Sequence, residues 1–298
     1  MIARKYLYLI ALAREKHFGR AAASCHISPS TLSAAIRDLE TELGVAVVER
    51  GQHFAGLTAE GRCVVEHARR LVAGAAGLKQ ELARLRTGLT GRLRLGVIPT
   101  ALTVVAELTS SFALRHPLVT IEVLSLATGD ILSRLRDYQL DAGIVYVASG
   151  DADDLLVTPL WRENHVLLTT SATAFEGQDS VCWREAGQLP LCLLTADMQN
   201  RKTIDGVFKE LGCRPEPRLE SNSIISLLAH VCTGAWSSIL PKSVLDLIGT
   251  PAGIRVLDLV EPSVAWSTGL VTLARDPRPP MLEALKVEAN GLLFAKTE

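Results

Sequence analysis

The stretch FGRAAASCHISPSTLSAAIRDLETELG, residues 18–44, decides how the front of this chain folds. A short helix is expected from Gly19 to Cys25, and the alanines within it leave room for a second helix to approach closely. Ser28 and Pro29 then mark a helix start, because serine accepts hydrogen bonds from free backbone N–H groups and proline has no N–H to leave unpaired. Gly44 ends the second helix. The pattern predicts two helices joined by a tight turn.

Apolar spacing on both sides extends this pair into a small domain. A first helix is predicted up to about Lys16 from the helical period of its apolar residues, which are Tyr6, Leu7, Leu9, Ile10 and Ala13. After Gly44, residues 45–49 are expected to form a strand, residues 51–56 a tight loop and Leu57 a returning strand. A helix pair followed by such a loop is typical of a winged helix-turn-helix.

A long helix is predicted next, with Thr58 as its N-cap. Its apolar residues recur in steps of three and four, at Val64, Val65, Ala68, Leu71, Val72, Ala75, Leu78, Leu82 and Leu85. Such a seam suits a helix that pairs with a second copy. The alternative is a helix that packs on its own core. Residues 87–91, Thr-Gly-Leu-Thr-Gly, are expected to form a hinge.

Beyond Gly91 the pattern changes to alternating strands and helices. Strands are predicted at 93–98, 119–126 and 141–147, with helices at 101–115 and 130–138, and this order predicts a parallel sheet covered by helices on both faces. A second such region is predicted to contain strands 166–170, 191–194, 218–220, 237–240 and 268–274 and helices 200–211, 224–232 and 280–294. We expect two α/β lobes with a cleft between them.

The expected architecture is α/β, with an N-terminal winged helix-turn-helix, a long linker helix and a two-lobed effector domain. The predicted boundaries are 1–58 for the DNA-binding domain, 59–90 for the linker helix and hinge, and 91–298 for the effector domain. Within the last, lobe I is expected at about 91–162 and 266–298, and lobe II at about 163–265.

Charge is unevenly distributed along the chain. Residues 1–90 carry a net charge of +5 and residues 91–298 a net charge of −6, which favours a front that meets a polyanion. The composition, 48% hydrophobic and 21% charged, is that of a globular protein. No apolar run approaches the roughly 18 residues of a membrane span, and the basic start lacks a signal-peptide cleavage site. A cytoplasmic protein is expected.

The predicted DNA contacts lie in the helix pair and the wing. The helix that begins after Ser28 has small, polar side chains in its first turn, as entry into a major groove requires. Hydroxyl groups there can bond to bases or phosphates. Cationic side chains nearby are expected to meet phosphates or bases. The candidate DNA-binding residues are Arg20, Ser28, Ser30, Thr31, Ser33, Arg37, Arg50, Gln52 and His53.

The predicted effector contacts lie where helices begin after strands. Helix N-termini carry free N–H donors and a partial positive charge, so they attract anions. The candidate effector-binding residues are Thr100, Thr128, Tyr146, Asn200, Arg201 and Asn222. A small carboxylate or similar oxyanion is the expected ligand. The alternative is that the polar residues are plain helix caps and that Arg201 is solvated.

Enzymatic and metal-binding functions have little support. The chain has no G-x-S-x-G, Gly-rich phosphate loop or H-E-x-x-H motif, so no catalytic residue is predicted. Its six cysteines form no C-x-x-C pair, and neither a metal nor a cofactor is expected. The remaining alternative is a cytoplasmic solute-binding module without DNA binding, although residues 1–90 would then have no role.

Taken together, these motifs resemble the LysR-type transcriptional regulators. The resemblance covers nearly the whole chain and rests on residues 18–22, 27–33, 36–40, 43–44, 49–50 and 57–61, and on 91–96, 116–117 and 140–144 in the body. It implies an effector domain of the periplasmic-binding-protein type, a dimerising linker helix, and homodimers that assemble into homotetramers on double-stranded DNA.

The sequence also departs from the family pattern. Pro29 stands where the family usually has a glutamine, and Ala34 where it often has a polar or basic residue, so base recognition is expected to rest on Ser30, Thr31, Ser33 and the wing. Trp236 replaces a small residue and is expected to narrow the cleft. Residues 191–201 resemble a LysR subgroup found beside formate dehydrogenase genes, which makes formate a candidate effector.

Overall fold

The computed structural model describes residues 4–49, 54–147, 154–170, 175 and 177–295, with the side chains of 292–295 excepted. The chain forms two compact units, Met1–Thr87 and Gly88–Glu298. Among the described residues, no helix has both the length and the apolarity that a membrane crossing demands.

The first unit is a small helical domain followed by one long helix. Its helices are α1 (Arg4–Glu15), α2 (Phe18–Ser24), α3 (Pro29–Leu43) and α4 (Ala59–Thr87). Leu9 and Leu12 of α1 are fully buried in a core shared with α2 and α3. Ala21 and Ala22 of α2 are also fully buried, which confirms that small residues form the packed face of α2.

The ends of α3 follow the sequence prediction. The Ser28 Oγ accepts the N–H of Thr31 at 3.1 Å, and Pro29 is the first helical residue. Gly44 ends the helix with a φ of +69°, a left-handed conformation that glycine adopts without the clash of a Cβ atom.

The expected strand at residues 45–49 is wrong in its extent. Within those residues only Val48 forms a β-bridge, to Leu57. The Glu40 carboxylate explains this, because it accepts the backbone N–H groups of Val47 at 2.8 Å and Val48 at 3.1 Å. A side chain thus takes donors that a strand ladder would have used.

The start of α4 is fixed tightly to the segment before it. The Thr58 Oγ1 accepts the N–H of Gly61 at 2.8 Å, as expected for an N-cap, and donates to the Ala46 carbonyl at 2.6 Å. A Cβ atom on Gly61 would lie 1.9 Å from the carbonyl oxygen of Val47. Glycine is therefore the residue that permits this close approach.

The second unit alternates strands and helices. Its strands are β1 (Gly91–Val97), β2 (Val119–Ser125), β3 (Ala142–Tyr146), β4 (Leu155–Thr170), β5 (Ser180–Cys182), β6 (Cys192–Leu194), β7 (Leu219–Ser221), β8 (Ser238–Pro241), β9 (Ile254–Val260) and β10 (Ala265–Leu273). Its helices are α5 (Leu102–Arg115), α6 (Thr128–Arg136), α7 (Trp183–Ala186), α8 (Gln199–Glu210), α9 (Ile224–Cys232), α10 (Lys242–Ile248) and α11 (Pro280–Ala295), and a 3-10 turn, Pro99–Ala101, precedes α5.

The sheet is mixed, which corrects the prediction of a parallel sheet. β2, β1 and β3 are parallel neighbours, as are β6 and β7. β10, however, runs antiparallel between β3 and β4, and β4 pairs antiparallel with β8 and β9. The order of the large sheet is β2-β1-β3-β10-β4-β9-β5.

β4 is much longer than the sequence predicts, because the predicted strand covers only residues 166–170 of its 16 residues. Pro159 hides the first half, because proline has no N–H to give to a ladder. In the structure Pro159 lies opposite Gly269, beside a register shift between Thr268 and Gly269 that accommodates it. The short elements β5, α7, α10 and β9 were also not predicted.

Three apolar cores divide the second unit into two lobes. One core surrounds the parallel strands and includes Leu95, Phe112 and Leu285. The other two, around Trp183 and around Leu240, belong to the second lobe. β4 and β10 extend through both lobes, with Leu160 and Leu270 in the first core and Leu167 and Trp266 in or against the core around Trp183.

A close approach of α6 to the sheet accounts for one family-like motif. A Cβ atom on Gly143 would lie 2.5 Å from the Ile131 side chain. Next to it, the Asp141 carboxylate accepts the backbone N–H of Arg94 at 2.8 Å and both the Nε and Nη2 of its guanidinium, at 3.1 and 3.0 Å. The motif at 140–144 therefore ties β3 to β1.

Candidate functional site

The N-terminus of α3 presents a cluster of hydroxyl groups. Ser28, Ser30 and Thr31 are exposed, and the Ser28 Oγ lies 2.8 Å from both the Ser30 Oγ and the Thr31 Oγ1. Ser33 is half-buried on the next turn. The structure thus brings together the four hydroxyl residues predicted to contact DNA on the first two turns of α3.

The cationic side chains predicted to contact DNA differ in their hydrogen-bond partners. Arg37 is exposed on α3 and lies beside Ser33. Arg20 is exposed as well, but its Nη2 donates to the Glu15 carbonyl at 2.7 Å. The predicted wing contacts Arg50, Gln52 and His53 lie outside the described residues.

Three predicted effector residues meet around one phenol in the second unit. Tyr146 ends β3, and its hydroxyl lies 3.1 Å from the Thr100 Oγ1 in the 3-10 turn after β1. Asn200, in the first turn of α8, reaches the same phenol with its Nδ2 at 3.4 Å. Thr100 and Asn200 are both buried. This contact joins the two lobes at the carboxyl ends of parallel strands.

Two further predicted residues lie at neighbouring helix starts. Thr128 is the first residue of α6, and its Oγ1 is buried without a hydrogen-bond partner among the described residues. Asn222 is exposed just before α9, whose N-cap is Ser223. The alternative role as a plain helix cap therefore falls to Ser223, which accepts the N–H of Ser226 at 3.4 Å.

Arg201 is neither solvated nor free for an anion. It is buried, and its Nη1 donates to the Leu194 carbonyl at 2.9 Å and to Glu220 at 2.5 Å. Its Nε donates to Asp205 at 2.8 Å. Burial alone would lower the pKa of Arg201, but the bonds to both carboxylates raise it. The positive charge is thus used to join α8 to β7.

Sequence reasoning missed two titratable residues in the cleft. Glu163 and His165 are buried on β4, whereas Arg162 before them and Asn164 between them are exposed. The Glu163 Oε2 accepts the Tyr146 hydroxyl at 2.5 Å, and the His165 Nε2 lies 2.6 Å from the Asn200 Nδ2. Residues 162–165 are all polar, so no alternation of polar and apolar residues in the sequence marks Glu163 or His165 as buried.

Burial shifts the ionisation of all three groups in the cleft. It lowers the pKa of His165 to about 3, so this ring is neutral at physiological pH. It raises the pKa of Glu163 above the ordinary value, against hydrogen bonds from Tyr146, Ser243 and Trp161 that lower it. Burial and the nearby Glu163 charge raise the pKa of Tyr146 well above 10.

Other expected features are placed as follows. Trp236 is half-buried and packs against the core around Leu240. All six cysteines are free thiols, and Cys192 is the buried one. In the part of the chain that the structure describes, no group of three His, Cys, Asp or Glu residues is arranged to hold a metal ion.

Comparison with known families finds one family model for the front of the chain and another for the remainder. The family model described as bacterial regulatory helix-turn-helix protein, lysR family, matches residues 3–62. The LysR substrate binding domain matches residues 86–288. This chain belongs to the LysR family. It is a DNA-binding transcriptional regulator with an effector-binding domain and not an enzyme, and the alternative of a solute-binding module without DNA binding is not favoured.

Curated relatives that match this chain over nearly their whole length are transcriptional regulators. The DNA-binding transcriptional dual regulator OxyR of Escherichia coli K12 is 26% identical over 297 residues, covering 95% of this chain and 94% of that protein. The SDS degradation transcriptional activation protein of a Pseudomonas species is 30% identical over 299 residues, with the same coverage.

Solved structures of similar proteins share the fold. Full-length OxyR from Pseudomonas aeruginosa is 27% identical, with a TM-score of 0.77 over 97% of this chain and 95% of that one. CbnR in complex with its target DNA is 21% identical, with a TM-score of 0.66 over 98% of this chain and 100% of that one. None of these relatives is named for formate.

Proposed function

We propose that this LysR-type regulator binds a small anionic metabolite, with formate the first candidate, in the cleft between its two lobes. Thr100, Tyr146 and Asn200 form the centre of the proposed site, with Thr128 and Asn222 at its edge. One observation carries the proposal: polar side chains from both lobes converge there, while the Thr128 Oγ1 and the Asn200 Oδ1 are buried with no hydrogen-bond partner in the described part of the chain. Unpaired buried polar atoms are costly, and a ligand relieves that cost.

Arg201 is also one of the residues predicted to bind the effector, but its charge is paired with Asp205 and Glu220. We therefore propose that neutral donors bind the anion. Hydroxyl and amide groups, with backbone N–H groups at the starts of α5, α6 and α8, would hold it. Isothermal titration with formate, acetate and glycolate tests this. Heat of binding that disappears in Asn200→Ala supports the site, and the absence of binding by any carboxylate, with binding of neutral ligands, contradicts it.

On DNA, we propose that paired α3 helices from a dimer enter successive major grooves of a dyad site about one helical turn apart, or a multiple of it. The proposed contacts are Arg20, Ser28, Ser30, Thr31, Ser33, Arg37 and the wing residues Arg50, Gln52 and His53. Leucines of α4 are more than half exposed in the single chain, at Leu71, Leu78, Leu82 and Leu85, and three of them recur every seven residues. That repeat supports pairing of α4 with a second copy, with the dimers assembling into a tetramer in the cytoplasm.

Effector binding would act through the equilibrium between lobe and dimer arrangements. A ligand shifts such an equilibrium only as far as it prefers one arrangement. The Tyr146–Asn200 contact between lobes is where that preference arises, because a ligand that bonds both groups changes how the lobes are held together.

A response to hydrogen peroxide is the second candidate, because several relatives are named hydrogen peroxide-inducible genes activators. Such chemistry needs a reactive thiolate. Burial raises the pKa of Cys192 and so disfavours it, whereas Cys63 and Cys232 are exposed. Mass spectrometry after peroxide treatment distinguishes the candidates, since a specific disulfide that alters DNA binding would support this one.

A further inference from the structure

Glu163 places a carboxylate in the wall of the cleft with only neutral partners. Its side chain is 3% exposed. Its Oε2 accepts the Tyr146 hydroxyl at 2.5 Å, and its Oε1 accepts the Ser243 Oγ at 2.9 Å. Among the described residues, no Lys or Arg forms an ion pair with it. A buried carboxylate that lacks a cation is a costly feature and marks a functional position.

Tyr146, which donates to Glu163, is at the centre of the proposed effector site, and Thr100 and Asn200 bond to the same phenol. A phenol has one proton, and the Glu163 carboxylate at 2.5 Å is the strongest acceptor near it. The Thr100 hydroxyl and the Asn200 amide are then left to donate to the phenol oxygen. These groups are therefore organised around an internal carboxylate.

Among the described residues, no group bonded to Glu163 offsets a second negative charge in the cleft. Glu163 bonds to Tyr146 from β3, Ser243 from α10 and Trp161 from β4, all of which are neutral, and Asn200 from α8 bonds to Tyr146 and lies beside His165. Desolvation keeps the His165 ring uncharged, with a pKa of about 3. The Arg201 charge is already paired with Asp205 and Glu220. An anion bound here therefore faces the Glu163 charge at low dielectric.

We propose that Glu163 couples the binding of an anionic effector to the uptake of one proton. This inference rests on the proposed function, a carboxylate bound beside Thr100, Tyr146 and Asn200. The proton comes from solvent, resides on a Glu163 carboxyl oxygen while the effector is bound, and returns to solvent when the effector leaves. The protonated Glu163 can then donate to the effector carboxylate, and net charge in the cleft stays constant.

Calorimetric titration of the full-length protein with formate, acetate and glycolate at pH 6, 7 and 8 tests the coupling. Two buffers of different ionisation heat at each pH measure the protons taken up. Because binding raises the pKa of Glu163, the affinity rises as pH falls, by up to about ten-fold per pH unit, with up to one proton taken up per ligand. Glu163→Gln removes the charge and keeps the acceptor, so its binding should be independent of pH and about ten-fold tighter than wild type at pH 8. Glu210→Gln, at the exposed end of α8, is the matched control and should behave as wild type.

The outcomes separate the inference from the proposed function. Wild-type binding without proton uptake between pH 6 and 8 overturns the coupling and leaves the carboxylate site intact. Proton uptake that persists in Glu163→Gln also overturns it, because the proton would then be carried by another group, such as the ligand or His165. Failure of every carboxylate to bind wild type and Glu163→Gln alike overturns the proposed function. If Glu163→Gln does not fold, infrared difference spectra of the wild type with ¹³C-labelled acetate replace it. A carboxylic acid C=O band that appears on binding and is not shifted by the label supports a protonated protein carboxyl, and a band shifted by the label overturns the coupling.

Discussion

Ser28 combines two roles that a single hydroxyl rarely serves at once. Its Oγ caps α3 through the N–H of Thr31 and also bonds the Ser30 and Thr31 hydroxyls. A hydroxyl held by its neighbours has fewer free lone pairs for a base edge. We therefore expect base recognition by α3 to depend on reorientation of Ser30 and Thr31, with Arg37 providing the electrostatic contact.

Arg37→Ala should weaken DNA binding with little loss of stability. The side chain is exposed on α3, and its cation would meet a phosphate. Removing one phosphate contact lowers affinity for all sequences and reduces the salt-dependence slope by about 1. Fluorescence anisotropy across a salt series measures both quantities. Arg14→Ala on α1 is the control, and an equal change in that variant would refute a specific role for Arg37.

Gly61→Ala should destabilise the first unit, whereas Gly74→Ala should not. A Cβ atom on Gly61 would lie 1.9 Å from the Val47 carbonyl oxygen, but nothing lies within 4 Å of one on Gly74. We expect a loss of roughly 1–3 kcal/mol for the first, as for other overpacked sites. The second should gain about 0.5–1 kcal/mol from helix propensity. Urea denaturation compares them, and equal stabilities would contradict the close contact between α4 and residues 46–48.

Helices and strands whose ends are marked by local residues could be predicted from the sequence, whereas those that depend on distant pairing could not. α3 was predicted from Ser28, Pro29 and Gly44, because helix ends are determined by local backbone chemistry. β4 was mostly missed, because Pro159 is tolerated there only through the register shift opposite Gly269, a tertiary feature. The antiparallel insertion of β10 between β3 and β4 likewise depends on pairing distant in sequence.

The candidate site shows the same division. Thr100, Tyr146 and Asn200 follow predictable elements, and they do meet. Glu220 as a partner of Arg201 could not be predicted, because it comes from a different element and its distance depends on the pairing of β6 with β7. Glu163 was missed because β4 was missed.

Leu78→Gln should weaken self-association through α4. The Leu78 side chain is 62% exposed in the single chain, and it lies seven residues from both Leu71 and Leu85. Replacing an apolar seam residue with a polar one lowers the stability of a paired helix. Sedimentation equilibrium should show a shift towards monomer. Lys79→Gln, next to it, should leave association unchanged, and a shift of equal size there would argue against the seam.

At the scale of the whole molecule, the charge asymmetry matches the division of labour. The net +5 of residues 1–90 falls on the DNA-binding unit and its long helix, and the net −6 of residues 91–298 on the effector domain. An acidic effector domain is itself repelled by DNA, which favours binding through the first unit alone. We therefore expect regulation to pass from the cleft to DNA through a change in subunit arrangement.

An effector bound in the cleft is expected to change the length of DNA that this regulator contacts and the angle by which it bends that DNA. The most direct test is DNase I footprinting with bend-angle measurement on the DNA upstream of its own gene, with and without a carboxylate shown by calorimetry to saturate the protein. We expect a footprint of altered length and a changed bend when the effector is bound. Asn200→Ala should bind DNA as the wild type does without effector and should show no change when the effector is added. An identical footprint and bend angle at saturating effector would contradict it.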